Sequence, residues 1–156
     1  MLPLLSHQQA LEPVYLDYLA ALEQAGFTGD IDKRYSARLA QATDNSVYQF
    51  LPQAVIYPRH SVDVQLALKV AAQPEFQAVV FSARGGGTGT NGQALTHGIV
   101  MDLSRYMNRI LEINAAEGWV RVEAGVIKDA LNDALRPHGL FFSPDLSTSN
   151  RATLGG

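Results

Sequence analysis

The stretch Arg84–Gly92, RGGGTGTNG, holds five glycines, two threonines and an asparagine in nine residues, directly after a short apolar run. Glycine inside a packed helix or strand costs roughly 0.5–1 kcal/mol relative to alanine, because more backbone freedom is lost on folding. So dense a run does not belong inside an element. It marks a loop where something approaches the main chain too closely for side chains.

Three arrangements would put phosphate on such a loop. The pattern G-x-x-x-x-G-K-[ST] is excluded because no lysine follows the glycines. Gly87 to Gly92 does fit G-x-G-x-x-G, follows a strand pattern and has Glu112 20 residues further on. That motif needs a helix opening at the last glycines, whose N-terminus takes the pyrophosphate. Only QALTH separates Gly92 from the next strand pattern, too little for a crossover helix, and Glu112 sits inside ILEIN. The third arrangement uses no helix. Successive N–H groups curl into an anion-binding nest, and Thr88, Thr90 and Asn91 add side-chain donors. For the loop taken alone, a bare turn between two strands stays open beside it.

A second loop, Ser143–Gly156 (SPDLSTSNRATLGG), is again rich in hydroxyls and glycine, with Pro144 stiffening its start. Alone it reads as surface loop. Two such loops at the ends of core strands read as two sides of one phosphate-bearing ligand.

The remaining pattern predicts an α+β fold. Ser6 and Gln9 fit an S-x-x-Q cap, Pro13 suits a first helical turn starting near Glu12, and Val14, Tyr15, Tyr18, Leu19, Leu22 and Ala25 recur at helical period up to Gly26. IDKRYSARLAQAT is expected to be a second helix and DNSVYQFLP a turn. Then come a strand at 54–58, a helix at 61–73 facing the core with Val64, Leu68 and Ala71 or Ala72, and a strand at 78–83. This βαβ-like order predicts parallel strands. Strands follow at 98–103, 109–114 and 118–125, the last two a hairpin about AAEG, with Trp119 at an edge and Tyr106 and Met107 covering the core. A final helix is expected to bury Ile127, Leu131 and Leu135 and to stop at Gly139. The expected architecture is a small mixed sheet with flanking helices at 51–156, behind a helical N-terminal extension at 1–50.

Of 156 residues, 47% are apolar, enough for one ordinary core, and the net charge of −3 offers no basic stripe for nucleic acid. With no cysteine, the chain carries no disulfide, iron–sulfur ligand or thiol nucleophile. No apolar run approaches the ~20 residues of a membrane span, and the N-terminus lacks a leader pattern, so a cytoplasmic location is expected. The four histidines, at 7, 60, 97 and 138, show no ligand spacing, so no metal site is expected. His138, Asp145 and Ser147 do not make a hydrolase triad, because no G-x-S-x-G elbow surrounds Ser147.

The ordered set strand–Pro, helix, strand, RGGGTGTNG, VMDLSRYMNRILEIN, VRVEAGV, GLFFSPDLSTSNRATLGG resembles the FAD-binding domain of the vanillyl-alcohol oxidase/p-cresol methylhydroxylase (PCMH) type. Within that type it is most similar to the FAD-linked D-2-hydroxy acid dehydrogenases acting on D-lactate, glycolate or D-2-hydroxyglutarate. More narrowly, it looks like the N-terminal fragment of a long bacterial member with a C-terminal iron–sulfur (4Fe-4S) region. The resemblance covers nearly everything after Arg34, and the close at RATLGG inside a loop fits a domain truncated on its C-terminal side.

It implies that Gly85, Gly86, Gly87, Thr88, Gly89, Thr90, Asn91 and Gly92 wrap the FAD pyrophosphate. Pro144, Asp145, Ser147, Thr148, Ser149, Thr153, Leu154, Gly155 and Gly156 would lie along the ribityl chain and flavin ring. Asp102 is expected to order the turn after its strand. Covalently flavinylated relatives carry a histidine where Thr88 stands, so the flavin is expected to be non-covalent. The implied reaction passes a hydride from a D-2-hydroxy acid to flavin and then electrons to a separate acceptor, in the cytoplasm or at the periphery of the inner membrane. Same-fold enolpyruvyl-sugar reductases and alcohol oxidases, and a non-catalytic cofactor-binding module, are the alternatives. The catalytic base is not assigned, since no group here is placed to take the hydroxyl proton, and the fragment alone is expected to be inactive.

Overall fold

The structure is a computed structural model and describes residues 10–156. Ser6, Gln9 and His7, invoked above, lie outside the described residues. Helix α1 (Pro13–Gln24) starts with Pro13 in its first turn, where its missing N–H goes unneeded. Glu12, just before it, is tied to the chain at Gln53 by a reciprocal pair: the Glu12 N–H donates to the Gln53 side-chain oxygen at 2.9 Å, and Gln53 Nε2 to the Glu12 carboxylate at 3.1 Å.

Strand β1 (Asp30–Asp32), helix α2 (Tyr35–Ala40), β2 (Ala54–Tyr57), α3 (Ser61–Ala71), β3 (Phe81–Arg84) and β4 (Ile99–Asp102) complete a first unit. Its sheet runs β1-β2-β4-β3, with β1 antiparallel to β2 and both β2 and β3 parallel to β4. The β2–α3–β3 unit is therefore parallel, as its order predicts, but β4 is inserted between its strands. β2 and β4 are buried at every position, the signature of strands covered on both faces. On one face Tyr18, Leu19 and Leu22 of α1 and Ala67 and Val70 of α3 pack on Ala54, Ile56, Ile99 and Met101. Tyr18 is fully buried, donates to the Ala67 carbonyl at 3.0 Å, and meets Phe76 and Phe81 edge-on at 5.6 Å. Val55, Tyr57 and Val100, with Tyr106, fill the other face.

A second unit pairs β5 (Ile110–Asn114) with β6 (Trp119–Val122) around a turn at 115–118 and packs them on α4 (Lys128–Leu135). Its core joins Val126, Leu131 and Leu135 to Ile110, Ile113, Val120, Val122 and Leu154. Two backbone bonds, Gly125 N–H to Met107 at 2.7 Å and Glu123 N–H to Arg109 at 2.9 Å, close the connection between β4 and this unit.

Four sequence expectations are corrected. Residues 31–43 are not one helix: Asp30–Asp32 pairs along the edge of β2, and only Tyr35–Ala40 is helical. The third strand begins at Phe81, because Pro74–Phe76 forms a single 3-10 turn and 77–80 carry the chain out of it. In α3 the buried line is Asp63, Ala67 and Val70, flanked by Val64 and Ala71, while Leu68 lies one position round the helix at 52% exposure. Ile127 precedes α4 and is over a third exposed, so only Leu131 and Leu135 anchor that helix.

Candidate functional site

The glycine loop leaves β3 with no helix after it; residues 85–97 hold neither helix nor strand. The second loop is fastened to the other unit. Asp129 N–H donates to Ser149 O, Lys128 N–H to Ala152 O, Leu154 N–H to Val126 O and Gly155 N–H to Ala124 O, all at 2.8–3.2 Å. Leu154 buries its side chain in that unit's core. The site is thus assembled where the two units meet, each contributing one loop.

The contact is backbone against backbone. A Cβ on Gly86 would overlap the Arg151 carbonyl oxygen, and one on Gly85 would overlap Thr153 Oγ1 and lie 2.8 Å from the Gly155 carbonyl. Thr153 is the latch: its hydroxyl donates to Gly155 O at 2.7 Å and faces the Gly86 N–H at 3.4 Å. Gly87 follows at φ +63°, a conformation that favours glycine.

Two clefts flank this seam and share Gly85, Gly86 and Thr153 as their dividing wall. The smaller, about 390 Å³, is lined by the loop from Gly85 to Gly89 and by Thr148, Leu154, Gly155 and Gly156 from the facing loop. The larger, about 560 Å³, opens on the other side, with Gln41, Arg84, Asp102, Asn108, Asn150 and Arg151 among its polar lining.

Among the described residues, the N–H groups of Gly87, Thr88, Gly89 and Thr90 have no protein acceptor. Backbone donors are nearly always satisfied, so these look outward to solvent or ligand. Four free donors in succession, next to two hydroxyls and a cleft floored by glycine, suit a diphosphate. The fit is met by what is present: small residues, hydroxyls and no Asp or Glu side chain on the smaller cleft's wall.

Of the residues expected at the cofactor, Gly85, Gly86, Gly87, Thr88, Gly89, Thr148, Thr153, Leu154, Gly155 and Gly156 converge on the smaller cleft. Thr90 and Asn91 stand exposed beyond its rim, and the Asn91 N–H is taken by Gln93 Oε1 at 3.1 Å. Gly92 packs under the Tyr48 ring. Pro144, Asp145 and Ser147 are exposed outside the lining, and Ser149 turns away to donate to Asp129 Oδ2 at 3.1 Å. Asp102 orders its turn: Oδ1 accepts from the Ser104 N–H at 2.9 Å and hydroxyl at 2.6 Å, and Oδ2 from Gln41 Nε2 at 3.1 Å. Gln93, Ala94 and Leu146 also line the smaller cleft and carry no sequence signal that would single them out. Arg84 does carry one, an arginine opening the glycine run at a strand end, and it is nine-tenths buried.

The three described histidines serve local structure or stand on the surface. His60 borders the Thr28–Asp63 cluster, His97 lies against the Phe50 ring at 4.7 Å, and His138 sits in the 3-10 turn after α4. No helix among the described residues is long and apolar enough to cross a membrane.

A family profile described as "FAD binding domain" matches residues 52–156. The D-2-hydroxyglutarate dehydrogenase of Escherichia coli (strain K12) is 58% identical over the whole chain, which spans 15% of that protein. The mitochondrial cytochrome-type D-lactate dehydrogenase of Kluyveromyces lactis is 36% identical over 98 residues, 60% of this chain and 16% of that one. Among solved structures, an alkyldihydroxyacetonephosphate synthase superposes with a TM-score of 0.79 at 20% identity, covering 94% of this chain and 31% of the other. The matched stretches therefore cover about a sixth or less of the length of the two dehydrogenases.

Proposed function

From the premise that this chain belongs to the FAD binding domain family, we propose that the smaller cleft receives the diphosphate of non-covalent FAD and that the parent protein oxidises a D-2-hydroxy acid. The observation that carries the cofactor reading is the run of unclaimed N–H groups from Gly87 to Gly89, on the part of the loop that lines a cleft walled by Thr153–Gly156. The substrate class rests on three relatives that match the full chain at 56–58% identity, each a D-2-hydroxyglutarate dehydrogenase.

In this reading the glycine loop supplies backbone donors to the diphosphate, and Thr148, Thr153 and Gly155 direct the rest of the cofactor along the facing loop. Thr88, lacking the nucleophilic ring nitrogen that covalent attachment would use, leaves the flavin held by contacts alone. Bound FAD supplies the hydride acceptor. The substrate hydroxyl must lose its proton to a base at the same time, and this chain's own contribution is to hold the cofactor in place for that step. A separate acceptor then takes the electrons, in the cytoplasm or at the membrane periphery.

An absorption spectrum of the full-length protein purified without added flavin tests both parts. Flavin bands near ~450 nm that are released as free FAD on denaturation, and that bleach with D-2-hydroxyglutarate, are the expected result. A colourless folded protein that rejects added FAD refutes the cofactor reading. A yellow protein that bleaches with NADPH and ignores D-2-hydroxy acids refutes the substrate reading.

A further inference from the structure

Behind the glycine turn sits a buried positive charge. Arg84 ends β3 opposite Asp102 and is only 8% exposed. Its guanidinium lies against Gly87, where a Cβ would meet Nη2 and come within 2.9 Å of Cζ. Nη2 donates to the Thr43 carbonyl at 2.8 Å, while Nη1 is buried with no hydrogen-bond partner.

Among the described residues no carboxylate pairs with Arg84 within 4.0 Å. The acids whose fields reach it are engaged elsewhere. Asp102 is committed to Ser104 and Gln41, and Asp44 Oδ1 accepts the Ser46 N–H at 2.8 Å. Asp44 Oδ2, like Arg84 Nη1, is buried without a partner. Desolvation pulls the Arg84 pKa below the usual arginine value, with the fields of Asp102 and Asp44 opposing it. A guanidinium stays ionised even so, and a buried cation short of its anion is costly until a compensating charge arrives.

We propose that Arg84 is a positioning residue whose charge, acting through the Gly87 turn, is balanced by the diphosphate of the bound dinucleotide. It touches the turn and leaves direct contact to the N–H groups of Gly87, Thr88 and Gly89. Those donors set the geometry, and Arg84 sets the potential they present. The inference rests on the FAD reading above.

The test compares two ligands that share the flavin ring and ribityl chain, of which only FAD carries the diphosphate and, beyond it, the uncharged adenosine. Apo full-length protein is titrated with FAD and with riboflavin, following flavin fluorescence, for wild type, Arg84→Gln, Arg84→Lys and Asp44→Asn. Arg84→Gln should weaken FAD about tenfold or more, a loss of about 1.4 kcal/mol, and leave riboflavin unchanged within about twofold. Arg84→Lys should restore most of the FAD affinity by keeping the charge. Asp44→Asn keeps the Oδ1 acceptor, removes an opposing charge, and should tighten FAD several-fold without moving riboflavin.

Equal losses of both ligands in Arg84→Gln would reduce Arg84 to a structural strut and overturn the proposal. If that variant does not fold, Asp44→Asn decides: an unchanged FAD affinity there overturns it too. Wild-type protein that binds no FAD sinks the cofactor reading and this inference together, whereas wild-type binding with unselective variants sinks the inference alone.

Discussion

Gly86→Ala separates what the chain needs from what a ligand needs. The new methyl would overlap the Arg151 carbonyl oxygen and sit 3.0 Å from its carbonyl carbon. Both are main-chain atoms, so no rotamer change relieves the overlap; the facing loop must retreat by on the order of 1 Å to regain ordinary contact. That loop is held by the Arg151 and Ala152 N–H groups on Thr148 O, both at 2.8 Å, and by the Leu154 and Gly155 bonds to the second unit. Overpacking of this kind costs about 1–3 kcal/mol. Pulling Thr153 off the Gly86 N–H, already long at 3.4 Å, adds at most about 1 kcal/mol. At roughly 2–4 °C per kcal/mol for a domain of this size, the melting temperature of the apo protein should fall by roughly 2–16 °C. Gly89→Ala is the control, because its Cβ would meet only the amide end of Gln93, which can swing aside. It should leave the apo melting temperature within about 2 °C, yet weaken FAD at least about tenfold if the diphosphate lies on that backbone. The assay is thermal unfolding of the apo proteins by circular dichroism, followed by FAD titration. A Gly86→Ala protein as stable as wild type would refute the claim that the facing loop demands this glycine.

Leu22→Ala, at a fully buried position in α1, should cost about 2–5 kcal/mol in urea unfolding, while Leu68→Ala should stay within about 0.5 kcal/mol because its side chain faces solvent; equal costs would put the α3 core face back where periodicity alone placed it. Acid should destabilise the fold in a defined window. The Arg109 side chain holds Glu123 below the usual carboxylate range, and at Asp63 burial pushes upward but is outweighed by N–H bonds from Thr28 and Arg59. Both folded-state values are depressed, so their stabilisation is complete above the unfolded values near ~4 and is lost as pH falls through the folded ones. Urea midpoints should hold between about pH 7 and 5 and drop below about pH 4, with a shallower drop in Asp63→Asn; a midpoint that rises on acidification would reverse the sign of this reasoning.

Most elements were readable because their side chains repeat at the period of their backbone. Tyr15, Tyr18, Leu19 and Leu22 announce α1, and the uninterrupted apolar runs of β2 and β4 announce strands covered on both faces. What was not readable fails for physical reasons. β1 is three residues long, holds two aspartates and owes its existence to pairing with β2 at the sheet edge, which no local pattern encodes. In α3 the buried line includes an aspartate, Asp63, whose carboxylate is satisfied by Thr28 and Arg59 from outside the helix, so hydrophobicity alone turned the face towards Leu68. The glycine loop declared itself by composition. The larger cleft did not, because Gln41, Asp102, Asn108 and Asn150 come from four separate segments and are ordinary loop or strand-end residues singly.

The glycine run also answers several requirements at once. Gly85 and Gly86 are small because the chain's own facing loop lies on them, Gly87 because the turn reverses over the Arg84 guanidinium, and Gly92 because Tyr48 covers it. Gly89 is met only by the amide end of Gln93, which can swing aside, so with the free N–H groups around it this glycine is left for an approach from the cleft. Glycine density therefore overstates how much of this loop a ligand dictates. The sharper signal is the backbone donors from Gly87 to Thr90 that no part of the described chain accepts. A buried cation stands directly behind them with one nitrogen unclaimed. Both deficits have the same sign, each calling for negative charge, and a single diphosphate in the smaller cleft would satisfy the first by contact and the second by its field.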